Sequence, residues 1–226
     1  MSSSIFKNKG LPREASAKWG FTLTELLVVI GIAVAIMTAL IIQQSNWNDQ
    51  LTVSTQAYEL ALMIRQAQIY SLGVRENAAG SGDKFDVGYG IYFDQNYVDA
   101  NGKINRYVFF ADKNDANKGK YIAGVDNIME TKILTRGVVI DGFCGVKAVG
   151  QKEDRCAPGN GNVSTMVITF FRPDPKANVL LLNGGGQQSP NVDPPAKICL
   201  KSSGDAKYQV NVESNGQVSL SQNCSN

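Results

Sequence analysis

The longest hydrophobic pattern in the chain is an unbroken apolar run over residues 21–42, in which Glu25 is the only ionisable side chain. A helix of that length rises about 1.5 Å per residue and spans a bilayer core of roughly 30 Å. The buried helix of a soluble protein is one alternative, but such a helix is usually shorter and carries a polar stripe. We therefore predict a membrane-spanning helix over residues 21–42.

A secretory signal peptide is the second alternative, because it also joins a basic start to an apolar segment. Its apolar region is about half as long and ends in a small-residue Ala-x-Ala cleavage site. Here the run continues to Ile42 and passes into Gln43-Gln44-Ser45 without that signature. The segment is therefore expected to be retained.

Beyond this run, the pattern predicts an amphipathic helical half over residues 43–73. Its apolar positions recur at spacings of four and three, which places them along one helix face, and Gly73 is a suitable residue to end the helix. We expect this stripe to pack against the domain that follows. It consists of Val53, Ala57, Leu60, Ile64 and Ala67.

The remaining chain changes to period two, in short runs rich in β-branched and aromatic residues. Pro173-Asp174-Pro175 interrupts one connection, and Ser214-Asn215-Gly216 is typical of a hairpin turn. Residues 74–226 are predicted to form an antiparallel, sandwich-like pair of sheets, so the fold class is α+β. The predicted strands are Val87–Phe93, Arg106–Ala111, Thr131–Leu134, Val138–Ile140, Val163–Phe171, Ala177–Leu182, Ala196–Lys201, Tyr208–Glu213 and Val218–Leu220.

The basic leader, residues 1–20, predicts the orientation of the membrane helix. Its positive excess places the N-terminus in the cytoplasm and the region after Ile42 outside. Removing the leader takes away four of the 22 basic and one of the 20 acidic side chains, leaving 18 against 19. The mature chain is then close to neutral, which does not by itself indicate nucleic-acid binding. The leader charges are Lys7, Lys9, Arg13, Lys18 and Glu14.

The junction between leader and helix reads Lys18-Trp19-Gly20, then Phe21-Thr22-Leu23-Thr24-Glu25. A glycine before a scissile bond can lie extended in a protease site, and a carboxylate in hydrocarbon costs about 2.5 kcal/mol or more. The junction closely resembles the class III signal of type IV prepilins and pseudopilins. The resemblance implies cleavage between Gly20 and Phe21 by a prepilin peptidase, followed by N-methylation of Phe21. Trp19 departs from the family pattern, in which Lys or Arg commonly precedes the glycine.

Cleavage at this position creates a positive amine at Phe21, one helical turn from Glu25. In a staggered filament, the Glu25 carboxylate of one subunit can neutralise the Phe21 amine of its neighbour. We therefore predict that Phe21, Thr22 and Glu25 carry filament assembly. The alternative for Glu25 is a tolerated acid that reaches the membrane interface near the helix end.

Three segments of the β-rich region carry a second resemblance: Tyr89–Phe93, Ile168–Phe170 with a Pro-Asp turn, and the closing hairpin Val210–Leu220. They are similar to the GspH/FimT group of minor pilins and pseudopilins. This implies a type IV pilus-like filament subunit that waits in the cytoplasmic (inner) membrane as a single-pass precursor and ends in an extracellular or periplasmic filament. The implied partners are other pilins through the N-terminal helix, the prepilin peptidase and N-methyltransferase, and the inner-membrane assembly platform. A type II secretion pseudopilin is the alternative.

Four cysteines, Cys144, Cys156, Cys199 and Cys224, allow three pairings. An exported domain meets an oxidising environment, which suits two disulfides. We favour Cys144–Cys156, which closes a loop, and Cys199–Cys224, which ties the C-terminal tail to a strand. Zinc is the alternative, but the sequence has no histidine and no Cys-x-x-Cys pair.

The absence of histidine from the sequence removes Ser-His-Asp and Cys-His catalysis and the commonest general base. Gly184-Gly185-Gly186 is not followed by the Lys-Ser/Thr of a phosphate loop. We predict a structural, non-enzymatic protein without catalytic residues or a cofactor.

Two loops combine Asp and Asn side chains whose oxygens can hold calcium. Neither loop has the EF-hand spacing or its terminal Glu, and turn formation is the ordinary interpretation of such residues. The weak calcium candidates are Asp94, Asn96, Asp99, Asp112 and Asn114.

DNA is a further possible partner, because pilins of the FimT type can take up DNA through a basic surface patch. Lys197, Lys201 and Lys207 lie in a suitable region of this sequence. Three lysines spread over eleven positions are more often a solvated face, so we treat DNA uptake as an alternative to a purely structural role.

Overall fold

The computed structural model describes residues 20–73, 87–113, 117–147, 155–159, 163–186, 192–222 and 224. Residues 1–19 of the predicted leader and the calcium candidate Asn114 lie outside the described residues. The chain divides into two units, residues 1–43 and residues 44–226.

A single long helix, α1, covers Leu23–Leu72. No glycine or proline follows Gly31 within it, so no residue there interrupts the helical hydrogen bonds. Within residues 44–72, all five residues of the predicted apolar stripe are 0% exposed, as expected. The helix ends at Leu72, where the backbone N–H of Gly73 donates to the carbonyl oxygen of Ile69 over 2.9 Å. Both the stripe and the end of the helix are confirmed.

Ten strands follow the helix in the described part of the chain, and they form two five-stranded antiparallel sheets. The first sheet has the order β3-β2-β1-β6-β7 and the second has the order β10-β9-β8-β4-β5. The strands are β1 (Gly88–Asp94), β2 (Arg106–Asp112), β3 (Asn127–Ile133), β4 (Val139–Lys147), β5 (Arg155–Ala157), β6 (Val163–Phe171), β7 (Asp174–Asn183), β8 (Val192–Lys201), β9 (Lys207–Val212) and β10 (Val218–Gln222). The fold is therefore α+β, with an N-terminal helix followed by antiparallel sheets.

One hydrophobic core joins residues 53–67 of the helix to both sheets. Tyr70 of α1 meets Tyr89 of β1 edge to face, with 5.6 Å between the ring centroids. Phe93 of β1 lies 6.0 Å from Phe143 of β4 on the other sheet. Burial of this apolar surface stabilises by about 25 cal/mol per Å², so the core is the main force that holds the helix against the sheets.

The first sheet is apolar on its second face as well. Val108 and Phe110 alternate along β2 with residues of the main core and form a separate buried cluster with residues of β6 and β7. Tyr92, Tyr97 and Tyr121 pack against this cluster from the strand ends and loops. Burial raises the pKa of Tyr92, and its hydroxyl donates a 2.9 Å hydrogen bond to Asp94. This two-sided burial explains why β2 and β6 are almost continuously apolar.

The hairpin predicted at Ser214-Asn215-Gly216 joins β9 to β10. Gly216 adopts a φ of 82°, a left-handed conformation that favours glycine, and its N–H donates to Glu213 over 2.9 Å. The turn predicted around Pro173 is also present, although β7 already begins at Asp174.

The boundaries of several strands differ from the sequence prediction. Strand β3 starts four residues earlier than expected, because a register shift between Phe109 and Phe110 adds a residue and breaks the period-two pattern. Strand β8 includes Pro194 and Pro195, which have no N–H to donate. Both lie at a second register shift, where they are not paired with residues of β4, so no hydrogen bond of the sheet is lost there. Strand β5 was not predicted, since three residues carry no periodic signal.

Candidate functional site

The predicted cleavage junction lies just outside the helix. Gly20 is exposed, Phe21 is 81% exposed, and neither residue is helical. Helix α1 begins two residues after Phe21, at Leu23. The Gly20–Phe21 peptide bond is therefore accessible and lies outside the helix.

Thr22 caps the N-terminus of α1. Its Oγ1 accepts a 3.2 Å hydrogen bond from the backbone N–H of Glu25, and its carbonyl oxygen accepts one of 3.1 Å from the N–H of Leu26. Thr22 and Glu25 have the spacing of a capping box, in which the residue at the third helical position is Glu or Gln. The sequence interpretation missed this role, although the Thr-x-x-Glu spacing before an apolar run is a recognised signal. The backbone N–H of Glu25 is thus part of the cap at the start of α1.

The apolar part of α1 has no covering. Leu23–Ile41 is long and apolar enough to cross a membrane, and none of it is buried. Its large side chains are more than half exposed, from 53% at Ile30 to 79% at Leu23. Exposed apolar patches of this size are typical of surfaces that contact proteins or membranes.

The helical half that packs on the sheets also carries a second apolar stripe. Leu51, Tyr58, Leu62 and Ile69 are each at least 56% exposed, and they recur at spacings of seven, four and seven. These spacings match the seam of a left-handed helix pair. The sequence analysis identified the buried stripe and missed the exposed one. Both stripes are apolar, so the residue pattern does not tell which of them packs against the sheets.

Comparisons with protein-family models, with curated proteins and with solved structures give no match. Nothing is therefore carried over from relatives.

Both cysteine pairs that the spacing favoured are present. Cys144 is bonded to Cys156, with 4.1 Å between the Cα atoms, and Cys199 is bonded to Cys224, with 5.8 Å. The first bond joins facing residues of β4 and β5. The second attaches Cys224, two residues after the end of β10, to Cys199, which lies two residues before the end of β8.

The calcium candidates in the first loop serve as turn residues. One carboxylate oxygen of Asp94 accepts the N–H of Asn96, and Oδ1 of Asp99 accepts the N–H groups of Asn101 and Lys103. The hydrogen bond from Lys103 is the main reason why the pKa of Asp99 lies below its ordinary value. These contacts are the Asx turns expected of Asp in such loops.

The second loop is organised by two buried carboxylates. Asp112 accepts the N–H of Gly119 over 2.6 Å, and Asp126 accepts those of Lys113 and Ile122 over 3.0 and 2.6 Å. Asp126 was not among the predicted residues, and nothing in its sequence context marks it. Among the described residues, no group of three or more Asp, Glu, Cys or His side chains is placed to hold a metal ion.

We expect calcium to leave the stability of the protein unchanged, because backbone donors already occupy these carboxylates. A site filled at a hundred times its Kd would stabilise the fold by about 2.7 kcal/mol. Thermal unfolding of the full chain in detergent, with and without millimolar calcium, checks this. A rise of the midpoint that Asp99→Asn removes would show that the loop does bind calcium.

Two of the three lysines considered for DNA have acidic partners. Lys201 Nζ lies 2.6 Å from Asp205, and Lys207 Nζ lies 2.7 Å from Asp141. The hydrogen bond in the first pair lowers the pKa of Asp205 and raises that of Lys201. Phosphate binding there has to compete with these carboxylates.

Proposed function

We propose that this protein is a structural subunit of a type IV pilus-like filament. It is made as a precursor, cleaved after Gly20 and N-methylated at Phe21. Helix α1 then joins it to other subunits, and the two sheets form the domain on the outside of the fibre. The protein has no catalytic role in this proposal.

The main support for the proposal is an exposed apolar segment that contains a single acidic residue. Leu23–Ile41 is unburied, and Glu25 is its only ionisable residue. The core of the sheet-bearing unit begins at Val53, so this core is complete without any residue of the segment. An acid retained in such a position is functional by default. The charge that complements it is the amine that cleavage creates at Phe21.

The accessible junction supports the same proposal. Gly20 and Phe21 lie before the cap at Thr22, so a protease can bind the scissile bond without unwinding the helix. After cleavage, Phe21 and Thr22 remain ahead of the first helical residue. The new amine therefore lies at the helix start, close to the Glu25 of a neighbouring subunit displaced along the fibre by about one turn.

The exposed stripe of Leu51, Tyr58, Leu62 and Ile69 extends the surface available to other helices beyond the membrane segment. We assign this stripe to contacts between subunits in the fibre. The partners are other pilins or pseudopilins, with the processing enzyme and the inner-membrane assembly platform acting before assembly. The subunit waits in the cytoplasmic membrane with its sheets outside.

A minor pilin and a type II secretion pseudopilin share all of these features, and the location of the processed protein separates them. Uptake of DNA has no specific observation in its favour, because Lys201 and Lys207 are already paired.

Mass spectrometry of the N-terminal peptide tests the proposal. The full chain is produced with and without a prepilin peptidase, and sheared filaments and membranes are analysed separately. The expected result is a methylated Phe21 terminus that depends on the peptidase. In sheared fibres it indicates a pilus, whereas in membranes alone it indicates a pseudopilin. An intact leader in exported protein would refute the proposal, and Gly20→Val, which cannot be cleaved, is the control.

A further inference from the structure

All four cysteines line one small cleft in the second sheet. The cleft has a volume of about 110 Å³, and Asp141, Lys197 and Gln209 line it together with both disulfides. Cys199 alternates along β8 with Ile198 and Leu200, which are 0% exposed in the main core. The side chain of Cys199 therefore lies on the face of the sheet that points away from the core. The two bonds are neighbours, although they are remote in sequence.

The strand register places Cys144 and Cys199 diagonally across β4 and β8. Cys144 pairs with Lys197, and Gly142 pairs with Cys199. Diagonal neighbours on one face of an antiparallel pair are about 7–8 Å apart, with their Cβ atoms somewhat closer. Gly142, opposite Cys199, has no side chain, and the carbonyl oxygen of Ala157 lies 3.1 Å from where its Cβ would be. Cys199 therefore meets Cys144 across the cleft that both residues line.

We propose that this cleft is a thiol–disulfide exchange site for a dithiol partner, in which Cys199 is the attacking group inside the protein. A thiolate of the dithiol attacks Sγ of Cys224, forms a mixed disulfide and releases Cys199 as a thiolate. The second thiol of the partner then frees Cys224, so the partner is oxidised and the Cys199–Cys224 bond is reduced by two electrons. Finally, the Cys199 thiolate attacks Sγ of Cys144, forms Cys144–Cys199 and releases Cys156 as a thiolate, with no net redox change.

Lys197 favours this reaction. It lies two residues before Cys199 on the same face of β8 and opposite Cys144, and it lines the cleft. A neighbouring ammonium group stabilises a thiolate and lowers the pKa of the thiol. The carboxylate of Asp141 also lines the cleft, and a negative charge there disfavours a thiolate. Its ion pair with Lys207, at 2.7 Å, weakens this unfavourable effect.

The test uses Cys224→Ser, which leaves Cys199 as the one cysteine without a partner. The full-length variant is purified in detergent without added thiol, labelled with N-ethylmaleimide, digested without reduction and mapped by mass spectrometry. We expect a Cys144–Cys199 disulfide with the label on Cys156. A label found only on Cys199, with Cys144–Cys156 intact, would overturn the proposal.

Ser203→Cys in the wild-type background is the matched control. Ser203 is exposed in the turn after β8 and does not line the cleft, so this variant adds a free thiol elsewhere. Both native disulfides should survive in it. Equal scrambling in this control would show that any thiol exchanges, and the cleft would then have no special role.

A third variant, Lys197→Gln, tests the contribution of the charge. Each unit by which the pKa of the Cys199 thiol rises should slow exchange about threefold, because a tenfold loss of thiolate is partly offset by greater nucleophilicity.

If Cys224→Ser does not fold, limited treatment of the wild-type chain with dithiothreitol decides the question. The expected one-disulfide intermediates then include Cys144–Cys199, and a mixture containing only native bonds would overturn the proposal.

Discussion

Replacing Glu25 with Gln is expected to stop filament assembly while cleavage after Gly20 continues. In the proposed filament, each subunit brings a positive amine at Phe21 into an apolar helix bundle, where the carboxylate of a neighbour neutralises it. An unneutralised charge in this environment costs about 2.5–3.5 kcal/mol. Since each 1.4 kcal/mol is a factor of ten, every addition step should weaken by roughly a hundredfold. Sheared filaments, quantified against the processed protein in membranes, provide the measurement.

The choice of Gln separates the two roles of Glu25. Gln removes the charge and keeps a side chain that a capping box accepts at this position, whereas Ala removes both. The hydrogen bond from the backbone N–H of residue 25 to Thr22 remains in either variant. If charge pairing carries assembly, both variants should be processed and neither should assemble. Normal filaments from Glu25→Gln, combined with failure of Glu25→Ala, would show that a polar side chain at this position is essential and that the charge pairing is not.

Truncating Leu60 to Ala is expected to destabilise the sheet-bearing unit by about 2–5 kcal/mol, the usual range for a buried leucine. Leu60 is 0% exposed in the core between α1 and the sheets. Leu62→Ala is the matched control, because Leu62 lies on the same helix but is 65% exposed. The same truncation there should change stability by less than about 0.5 kcal/mol.

Urea unfolding of the full chain in detergent, followed by near-ultraviolet circular dichroism, measures both variants. The signal reports the aromatic contacts of Tyr70, Tyr89 and Phe109 between the helix and the first sheet. In an assembly assay, Leu62→Ala should reduce filament formation although its fold remains stable, because it removes a proposed contact between subunits. Similar stabilities for Leu60→Ala and Leu62→Ala would contradict the packing of α1 described above.

Much of the fold was predictable because its signals are local. The helix end at Leu72, the stripe from Val53 to Ala67 and the hairpin at Gly216 follow from residue spacing and turn chemistry over a few positions. Both disulfide pairs also agree with the prediction, in which one bond closes a loop and the other ties the C-terminal tail to a strand. These features need no knowledge of distant parts of the chain.

The misses have a common cause in contacts between distant residues. The early start of β3 and the prolines inside β8 depend on register shifts against neighbouring strands. The carboxylate of Asp126 has a role only because the loop folds back to present the N–H of Lys113. Period-two patterns report which face of a strand is buried and not how two strands are aligned.

The proposed processing and assembly site shows the same division. The junction at Gly20–Phe21, the lone acid at Glu25 and the apolar run are properties of consecutive residues, so the order of amino acids suffices to define them. Folding decided which of the two apolar stripes of α1 is buried and which remains exposed. It also brought four cysteines from three regions of the chain into one cleft. Composition and spacing are one-dimensional, whereas burial and proximity arise only when elements far apart in the chain pack against each other.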